Sequence, residues 1–306
     1  MFKFEREQRI FEIGGIKIGG QPGEMPTVMI GSIFHRGHRI VQDSKSGAFN
    51  REEAERLVTV QDEMSNITGL PCMVDVVGET VEALNKNVDF VSEVTEVPIL
   101  MNGPSVSVRV EALKYAAEIG LIDRVVYNSV NYTLNDEEIA SIRSSGATAA
   151  LVQAFNPRNP RPNGMIEILK SGWEGGKGLL AAASTSGVEK QLILAPVLDV
   201  PSIGFAAQGV FLAKREFGLP VGTAPIGVIG GWERLRDLGR YAKKTCRAGA
   251  AALAQSMGAD FILYGSLAKA RDLFPVCAMI DATIAYNART LGLKQLTRNH
   301  PLHRIF

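Results

Sequence analysis

The chain contains 306 residues, of which 46% are hydrophobic and 21% are charged, a balance typical of a compact folded protein rather than a disordered one. Its 33 basic and 32 acidic residues give a formal net charge of +1, which excludes the strongly basic surface expected of a nucleic-acid-binding protein. No stretch approaches the roughly 18 apolar residues of a membrane span, and the charged amino terminus has no signal-peptide core, so we expect a cytoplasmic protein without membrane insertion.

The first predicted element is a β-hairpin near the amino terminus. Residues 11–18 alternate between the two sides of a strand around Gly14 and Gly15, a pair that suits a two-residue turn. We expect residues 1–25 to form an extension built on this hairpin.

Eight short apolar runs then predict strands, each followed by a segment with helical spacing. The first two helices begin after Asn50 and Thr80, which are good capping residues, and glycines such as Gly69 and Gly146 mark helix ends. Strands that are apolar on both faces and alternate with amphipathic helices form a parallel sheet covered by helices. The predicted strands lie near residues 27–31, 72–76, 98–101, 124–127, 148–152, 191–194, 221–223 and 261–264.

Eight such units favour a closed (β/α)8 TIM barrel over an open doubly wound sheet. We therefore expect one domain over residues 1–306, with the hairpin as a plug at the amino-terminal end of the barrel. Two connections, 153–190 and 224–231, are longer than the others, and long loops after barrel strands are where such enzymes keep their specificity.

Polar residues at the predicted carboxyl ends of the strands are the candidate site, because these ends face the mouth of a barrel. Carboxylates accept hydrogen bonds from ring N–H and amino groups, and amides serve either polarity, so the set suits a heterocyclic ligand. Each residue alone could instead cap a helix or stabilise a turn. The set comprises Asp75, Asn102, Asn128, Ser129, Asn131, Gln153, Asn156 and Asp199.

Other chemistries have weaker support. The glycine-rich segment 172–178 lacks the spacing of a phosphate-binding loop, and no G-x-S-x-G motif is present. His35 and His38 have no third ligand nearby and lie among arginines, so no bound metal is expected. The cysteines are too few and scattered for disulfides or a zinc site, and are expected to be buried thiols: Cys72, Cys246 and Cys277.

At these strand ends the chain resembles the methyltetrahydropterin:corrinoid methyltransferases. From end to end it is most similar to the H subunit of tetrahydromethanopterin S-methyltransferase and its soluble bacterial relatives. The segments that carry this resemblance span nearly the whole chain: 19–24 (GGQPGE), 26–28 (PTV), 78–80 (GET), 127–129 (YNS) and 154–156 (AFN).

The resemblance implies a barrel that binds a reduced pterin in its mouth. Asp75 and Asp199 would accept hydrogen bonds from the pterin, Asn128 and Asn102 would orient its ring near nitrogen 5, and Ser129 and Gln153 would add contacts. Asn102 stands where related barrels have an Asp, and residues 223–227 lack the Asn that acetogenic relatives have after the seventh strand.

The activity implied is methyl transfer from a methylated corrinoid protein to nitrogen 5 of tetrahydrofolate, giving methyltetrahydrofolate and Co(I) corrinoid. Tetrahydrofolate is favoured because the third strand departs from the archaeal pattern and no membrane anchor is present. The alternatives are a tetrahydromethanopterin-specific subunit working toward the corrinoid, or a non-catalytic barrel subunit. A pterin-condensing enzyme would need a cation at a late strand end, and Lys269 lies beyond the eighth strand.

No Asp-x-His corrinoid signature precedes any histidine, so the corrinoid is expected on a partner protein. We expect the loops carrying Arg158 and Arg161, and His35 and Arg36, to form the docking surface for this protein. The resemblance further implies a homodimer.

Overall fold

The computed structural model describes residues 2–172 and 176–306, so residues 173–175 of the glycine-rich segment lie outside the described part. The chain begins with the predicted hairpin of antiparallel strands β1 (Ile10–Ile13) and β2 (Ile16–Gly19). Gly14 and Gly15 form its turn with φ values of 49° and 79°, in the left-handed region that glycine adopts at little cost.

Eight parallel strands close a barrel in chain order, which confirms the predicted TIM barrel. All eight predicted strands are present with slightly different ends. A small antiparallel ribbon between the first barrel strand and the first helix was not predicted. The strands after the hairpin are β3 (Val28–Ile33), the ribbon strands β4 (Val41–Asp43) and β5 (Ala48–Phe49), and β6 (Cys72–Val77), β7 (Ile99–Asn102), β8 (Val125–Val130), β9 (Ala149–Gln153), β10 (Lys190–Ala195), β11 (Val221–Thr223) and β12 (Phe261–Ser266).

Helices cover the outside of the barrel, and the predicted capping residues begin the first two. The side chain of Asn50 accepts a hydrogen bond from the backbone of Glu53, and Thr80 does the same for Ala83. Short 3-10 turns occupy Ile122–Arg124, Glu233–Leu238, Leu267–Lys269 and Arg289–Leu291. The helices are α1 (Arg51–Thr68), α2 (Val81–Val94), α3 (Val106–Glu118), α4 (Asp136–Ser145), α5 (Pro162–Ser171), α6 (Leu179–Thr185), α7 (Ile203–Phe217), α8 (Ile226–Ile229), α9 (Ala242–Ser256), α10 (Ala270–Ala288) and α11 (Pro301–Arg304).

The hairpin closes the amino-terminal end of the barrel, as predicted. Ile13 and Ile18 are buried in the same cluster as Ile30, Leu100 and Phe261, which are side chains of the barrel interior. A separate, larger cluster fills the layer between strands and helices. The floor of the barrel is therefore apolar and sealed, and only the carboxyl ends of the strands remain for a site.

Buried polar contacts fix the amino-terminal segment to this floor. Lys214 Nζ on α7 donates to Asp260 Oδ1 at 2.6 Å and to the carbonyl oxygen of Gly20 at 2.9 Å. Gln21 donates to the carbonyl oxygen of Phe4 and accepts from its backbone N–H, both at 2.9 Å. Since these groups are out of contact with water, breaking one leaves a partner unsatisfied. No helix in the described part of the chain is both long and apolar enough to cross a membrane.

Replacing Lys214→Met should destabilise the fold by about 3–5 kcal/mol, because it leaves the Asp260 carboxylate buried without its cation. Urea denaturation measures the loss. Lys170→Met is the matched control, because its ion pair with Glu216 is 47% and 39% exposed and should contribute about 1 kcal/mol or less. Equal losses in the two variants would contradict a stabilising role for the buried ion pair between Lys214 and Asp260.

Candidate functional site

Three predicted site residues on neighbouring strands come together at the mouth of the barrel. Asp75 on β6 accepts hydrogen bonds at Oδ1 from Asn102 Nδ2 on β7 at 3.1 Å and from Asn128 Nδ2 on β8 at 3.0 Å. Asn102 and Asn128 are direct register partners, which places their side chains side by side. One carboxylate therefore orients both amides.

Ser32 completes this cluster and was missed from the sequence. Its hydroxyl donates to Asp75 Oδ2 at 2.7 Å. The predicted first barrel strand ends at residue 31, whereas β3 continues to Ile33 and pairs Ser32 with Asp75. A polar residue directly after an apolar run was the available indication.

Burial governs the electrostatics of the cluster. Asp75 is 3% exposed, and this burial raises the pKa of its carboxyl above the ordinary value, while hydrogen bonds from Ser32, Asn102 and Asn128 and the charge of His35 oppose the rise. Because both amide nitrogens point at Asp75, the carbonyl oxygens of Asn102 and Asn128 are left as acceptors. Among the described residues nothing donates to them. The cluster therefore presents two neutral acceptors, the amide oxygens of Asn102 and Asn128, which the Asp75 carboxylate holds in place.

The end of the fourth barrel strand shapes one side of the mouth. The peptide bond between Asn128 and Ser129 is cis, and Ser129 is half-buried. Asn131 donates to the carbonyl oxygen of Ser129 at 3.3 Å and accepts from the backbone of Thr133 at 2.9 Å, so Asn131 stabilises a turn. An aromatic pair that the sequence did not reveal, Tyr132 with Phe155, links this loop to the next.

In the described part of the chain, the site residues predicted at the ends of the fifth and sixth strands form no hydrogen bond with the Asp75 cluster. Gln153 ends β9 half-buried. Asn156 is buried and accepts from the backbone of Arg158 at 3.0 Å, so it holds its own loop. Asp199 is exposed and accepts from the backbone of Ser202 at 2.8 Å, at the start of α7. Ligand contacts by Gln153 and Asp199 stay predictions.

The predicted docking residues lie on loops at the same end of the barrel. His35 stacks on His38 with ring centroids 4.6 Å apart, and Arg36 beside them is exposed. Arg158 and Arg161 are exposed in the loop before α5. Within residues 2–172 and 176–306, no three His, Cys, Asp or Glu side chains converge as metal ligands would.

Comparison with known proteins agrees with this architecture. The family model described as tetrahydromethanopterin S-methyltransferase MtrH subunit matches residues 6–296. The chain belongs to this family. The H subunit of tetrahydromethanopterin S-methyltransferase from Methanothermobacter marburgensis is 38% identical over 314 residues, covering 100% of both chains. The H subunit of the putative methyltransferase mtx from Methanosarcina mazei is 37% identical over 310 residues, covering 99% of both.

Solved structures share the fold at low identity. A dihydropteroate synthase from Coxiella burnetii, in complex with pteroic acid, gives a TM-score of 0.62 at 13% identity over 90% of this chain and 99% of that one. A dihydropteroate synthase from Xanthomonas albilineans, with 4-aminobenzoic acid, gives 0.58 at 17% identity over 93% and 99%. At such identities the likeness shows the fold alone.

The segment that most specifically resembles this methyltransferase family lies at the opposite end of the barrel from the Asp75 cluster. Gln21 and Gly20 make buried hydrogen bonds that hold the amino-terminal segment against the closed end of the barrel. Thr27 donates to Asp281 on α10 through its backbone N–H at 2.6 Å and its hydroxyl at 2.7 Å. In this family member the first motif therefore builds the closed end, and the later motif at Tyr127 and Asn128 reaches the mouth.

Removing one donor from Asp75 should raise the pKa of its carboxyl further, because each hydrogen bond favours the charged form. We expect this in Ser32→Ala and in Asn102→Ala, measured by NMR titration of the carboxyl carbon. The exposed Asp43, whose pKa is lowered by its own local hydrogen bonds, serves as the internal control and should not change. An unchanged or lower pKa of Asp75 in both variants would contradict the cluster.

Proposed function

We propose that this protein transfers a methyl group between nitrogen 5 of a tetrahydropterin and a corrinoid carried by a partner protein. The observation that carries the proposal is the buried Asp75 cluster, in which one carboxylate orients two amides at the mouth of a barrel. Membership of a methyltransferase family supports the reaction type.

The chemistry fits a site without a nucleophile. When the corrinoid accepts methyl as Co(I), the bond from carbon to nitrogen 5 breaks as the bond to cobalt forms, and nitrogen 5 takes up one proton. In the opposite direction nitrogen 5 releases that proton. The cobalt supplies the reactivity, so the protein has to align the two reactants and control the protonation of nitrogen 5. The amides and the carboxylate supply the alignment, and the proton on nitrogen 5 is exchanged with water at the mouth of the barrel.

Each residue of the cluster has a distinct part in this proposal. The carbonyl oxygens of Asn102 and Asn128 accept hydrogen bonds from pterin N–H groups, and Asp75 with Ser32 holds these amides in place. Asp75 also accepts a hydrogen bond from a pterin N–H, because a carboxylate has about four acceptor positions and Ser32, Asn102 and Asn128 leave one of them open. Ser129, Gln153 and Asp199 are proposed as further contacts, of which Asp199 would have to leave its turn.

The comparisons favour tetrahydromethanopterin over the tetrahydrofolate expected from the sequence, since several of the similar methyltransferase subunits, though not the mtx subunits, carry that pterin in their names. We therefore propose tetrahydromethanopterin as the substrate. The Asn102 departure from the archaeal third strand does not argue against it, because this amide is held by Asp75 and still offers an acceptor.

The corrinoid protein is the proposed partner, with docking on the loops of His35, Arg36, Arg158 and Arg161, and a homodimer in the cytoplasm is the proposed state. The second candidate is a non-catalytic barrel subunit of a corrinoid methyltransferase complex. Pterin binding and turnover by the purified chain separate the two candidates.

Replacing Asp75→Ala should raise the Kd for the tetrahydropterin by about 10- to 100-fold, or roughly 1–3 kcal/mol, because both amides lose their orientation. Calorimetry gives the Kd, and the absorbance of Co(I) formed from methylcobalamin gives the rate with each pterin. Asp123→Ala is the matched control, because Asp123 precedes β8 at the closed end of the barrel. Unchanged affinity in the Asp75 variant would contradict the site.

Replacing Arg158 and Arg161 together with Ala should slow transfer with the corrinoid protein while sparing transfer with free methylcobalamin, because only the protein needs the docking loop. Arg143→Ala, on the last turn of α4 at the closed end, is the control. Equal loss with both methyl donors would reject the docking assignment.

A further inference from the structure

Lys269 places a cation over the end of the eighth barrel strand. Its ammonium donates to the carbonyl oxygen of Tyr264 at 3.2 Å. Gly265 lies beneath it with φ of 74°, and a Cβ there would come within 2.6 Å of Lys269 Nζ. Within the described residues, no carboxylate lies at ion-pair distance from Lys269. The ammonium is therefore close to the strand end and uncompensated.

Arg247 on α9 is a second cation that forms no ion pair within contact distance in the described part of the chain. Its Nε is buried and meets no hydrogen-bond acceptor there. The charge of Asp272 attracts Arg247 and favours its charged form, but Asp272 pairs directly with Lys244 at 2.8 Å. A guanidinium nitrogen removed from water without an acceptor is costly, so an anion bound beside Arg247 would stabilise it.

The charges of Arg247 and Lys243 act on Lys269. Burial first, then the charges of Arg247 and Lys243, lower the pKa of Lys269 to about 8. Burial likewise lowers the pKa of Arg247. A bound anion would relieve both penalties, so the cluster of Lys243, Arg247 and Lys269 favours a carboxylate or a phosphate group.

This cluster belongs to the same mouth as Asp75. The register pairs Ser266 of β12 with Ser32 of β3, and Ser32 with Asp75 of β6. Two strand spacings separate β12 from β6, which is about 10 Å. His38 lies beside the end of β12, with Nε2 3.4 Å from the Ser266 hydroxyl. Burial, followed by the charges of His35 and Lys269, lowers its pKa to about 4, so it is neutral near pH 7. One elongated ligand could reach both clusters.

We propose that Lys243, Arg247 and Lys269 form an oxyanion subsite that binds an acidic group on the tail of the tetrahydropterin whose ring lies at Asp75. This inference rests on the proposed function. Tetrahydrofolate and tetrahydromethanopterin both carry acidic groups on the tail that extends from the ring, whereas 6-methyltetrahydropterin has the ring without the tail. The subsite accordingly contributes to affinity for the tailed substrates and not to recognition of the ring.

The test compares Lys269→Met and Arg247→Met with wild type, using calorimetry for the Kd of tetrahydromethanopterin, tetrahydrofolate and 6-methyltetrahydropterin. Each substitution should weaken binding of the preferred tailed pterin by about 10-fold or more and leave the tailless pterin unchanged. Lys269→Glu should weaken the tailed pterin further. Lys170→Met, an exposed lysine on α5, is the control, and circular dichroism checks that every variant is folded.

Unchanged affinity for tailed pterin in both variants, or equal loss for the tailless pterin, would overturn the subsite while leaving the proposed function intact. Absence of binding of every pterin by the wild type would overturn the proposed function and this inference together. The KM for free methylcobalamin should be the same in all variants. A rise confined to methylcobalamin would assign the cations to the phosphodiester of the corrinoid and contradict the proposal.

Discussion

The Asp75 carboxylate is the interaction on which the mouth of this barrel depends. It is buried, no cation from the described residues is bonded to it, and it is held instead by neutral donors from Ser32, Asn102 and Asn128 on three other strands. A buried carboxylate satisfied this way fixes its donors, since each would lose a charge-assisted hydrogen bond by turning away. The consequence is a rigid row of amide acceptors suited to a flat heterocycle.

The closed end of the barrel stabilises the fold, and the mouth carries the candidate site. At the closed end, Lys214 with Asp260 and Thr27 with Asp281 tie the amino-terminal segment to the barrel. At the mouth, the side chains are only partly satisfied by one another, and Arg247 is left with a buried nitrogen that has no acceptor in the described residues. Among the described residues nothing donates to the amide oxygens of Asn102 and Asn128, so these acceptors at the mouth are available to a ligand.

Much of the fold could be predicted because its periodicities are local. Strand and helix spacing, the Asn50 and Thr80 caps and the Gly14–Gly15 turn each depend on a few neighbouring residues, and each was confirmed. The site could be predicted only for residues whose proximity follows from strand order, namely Asp75, Asn102 and Asn128 at the carboxyl ends of three neighbouring strands. Ser32 depended on where β3 ends. Arg247 on α9 and Lys269 in the turn after β12 are far apart in the sequence, so their spacing does not reveal that the charge of one acts on the other.

A crystal structure of the protein with the tetrahydropterin bound tests the central claim most directly. The account predicts the pterin ring at the mouth of the barrel, within hydrogen-bond distance of the carbonyl oxygens of Asn102 and Asn128 and of the Asp75 carboxylate. A ring bound elsewhere, with the Asp75 cluster unchanged and out of contact with it, would contradict the account.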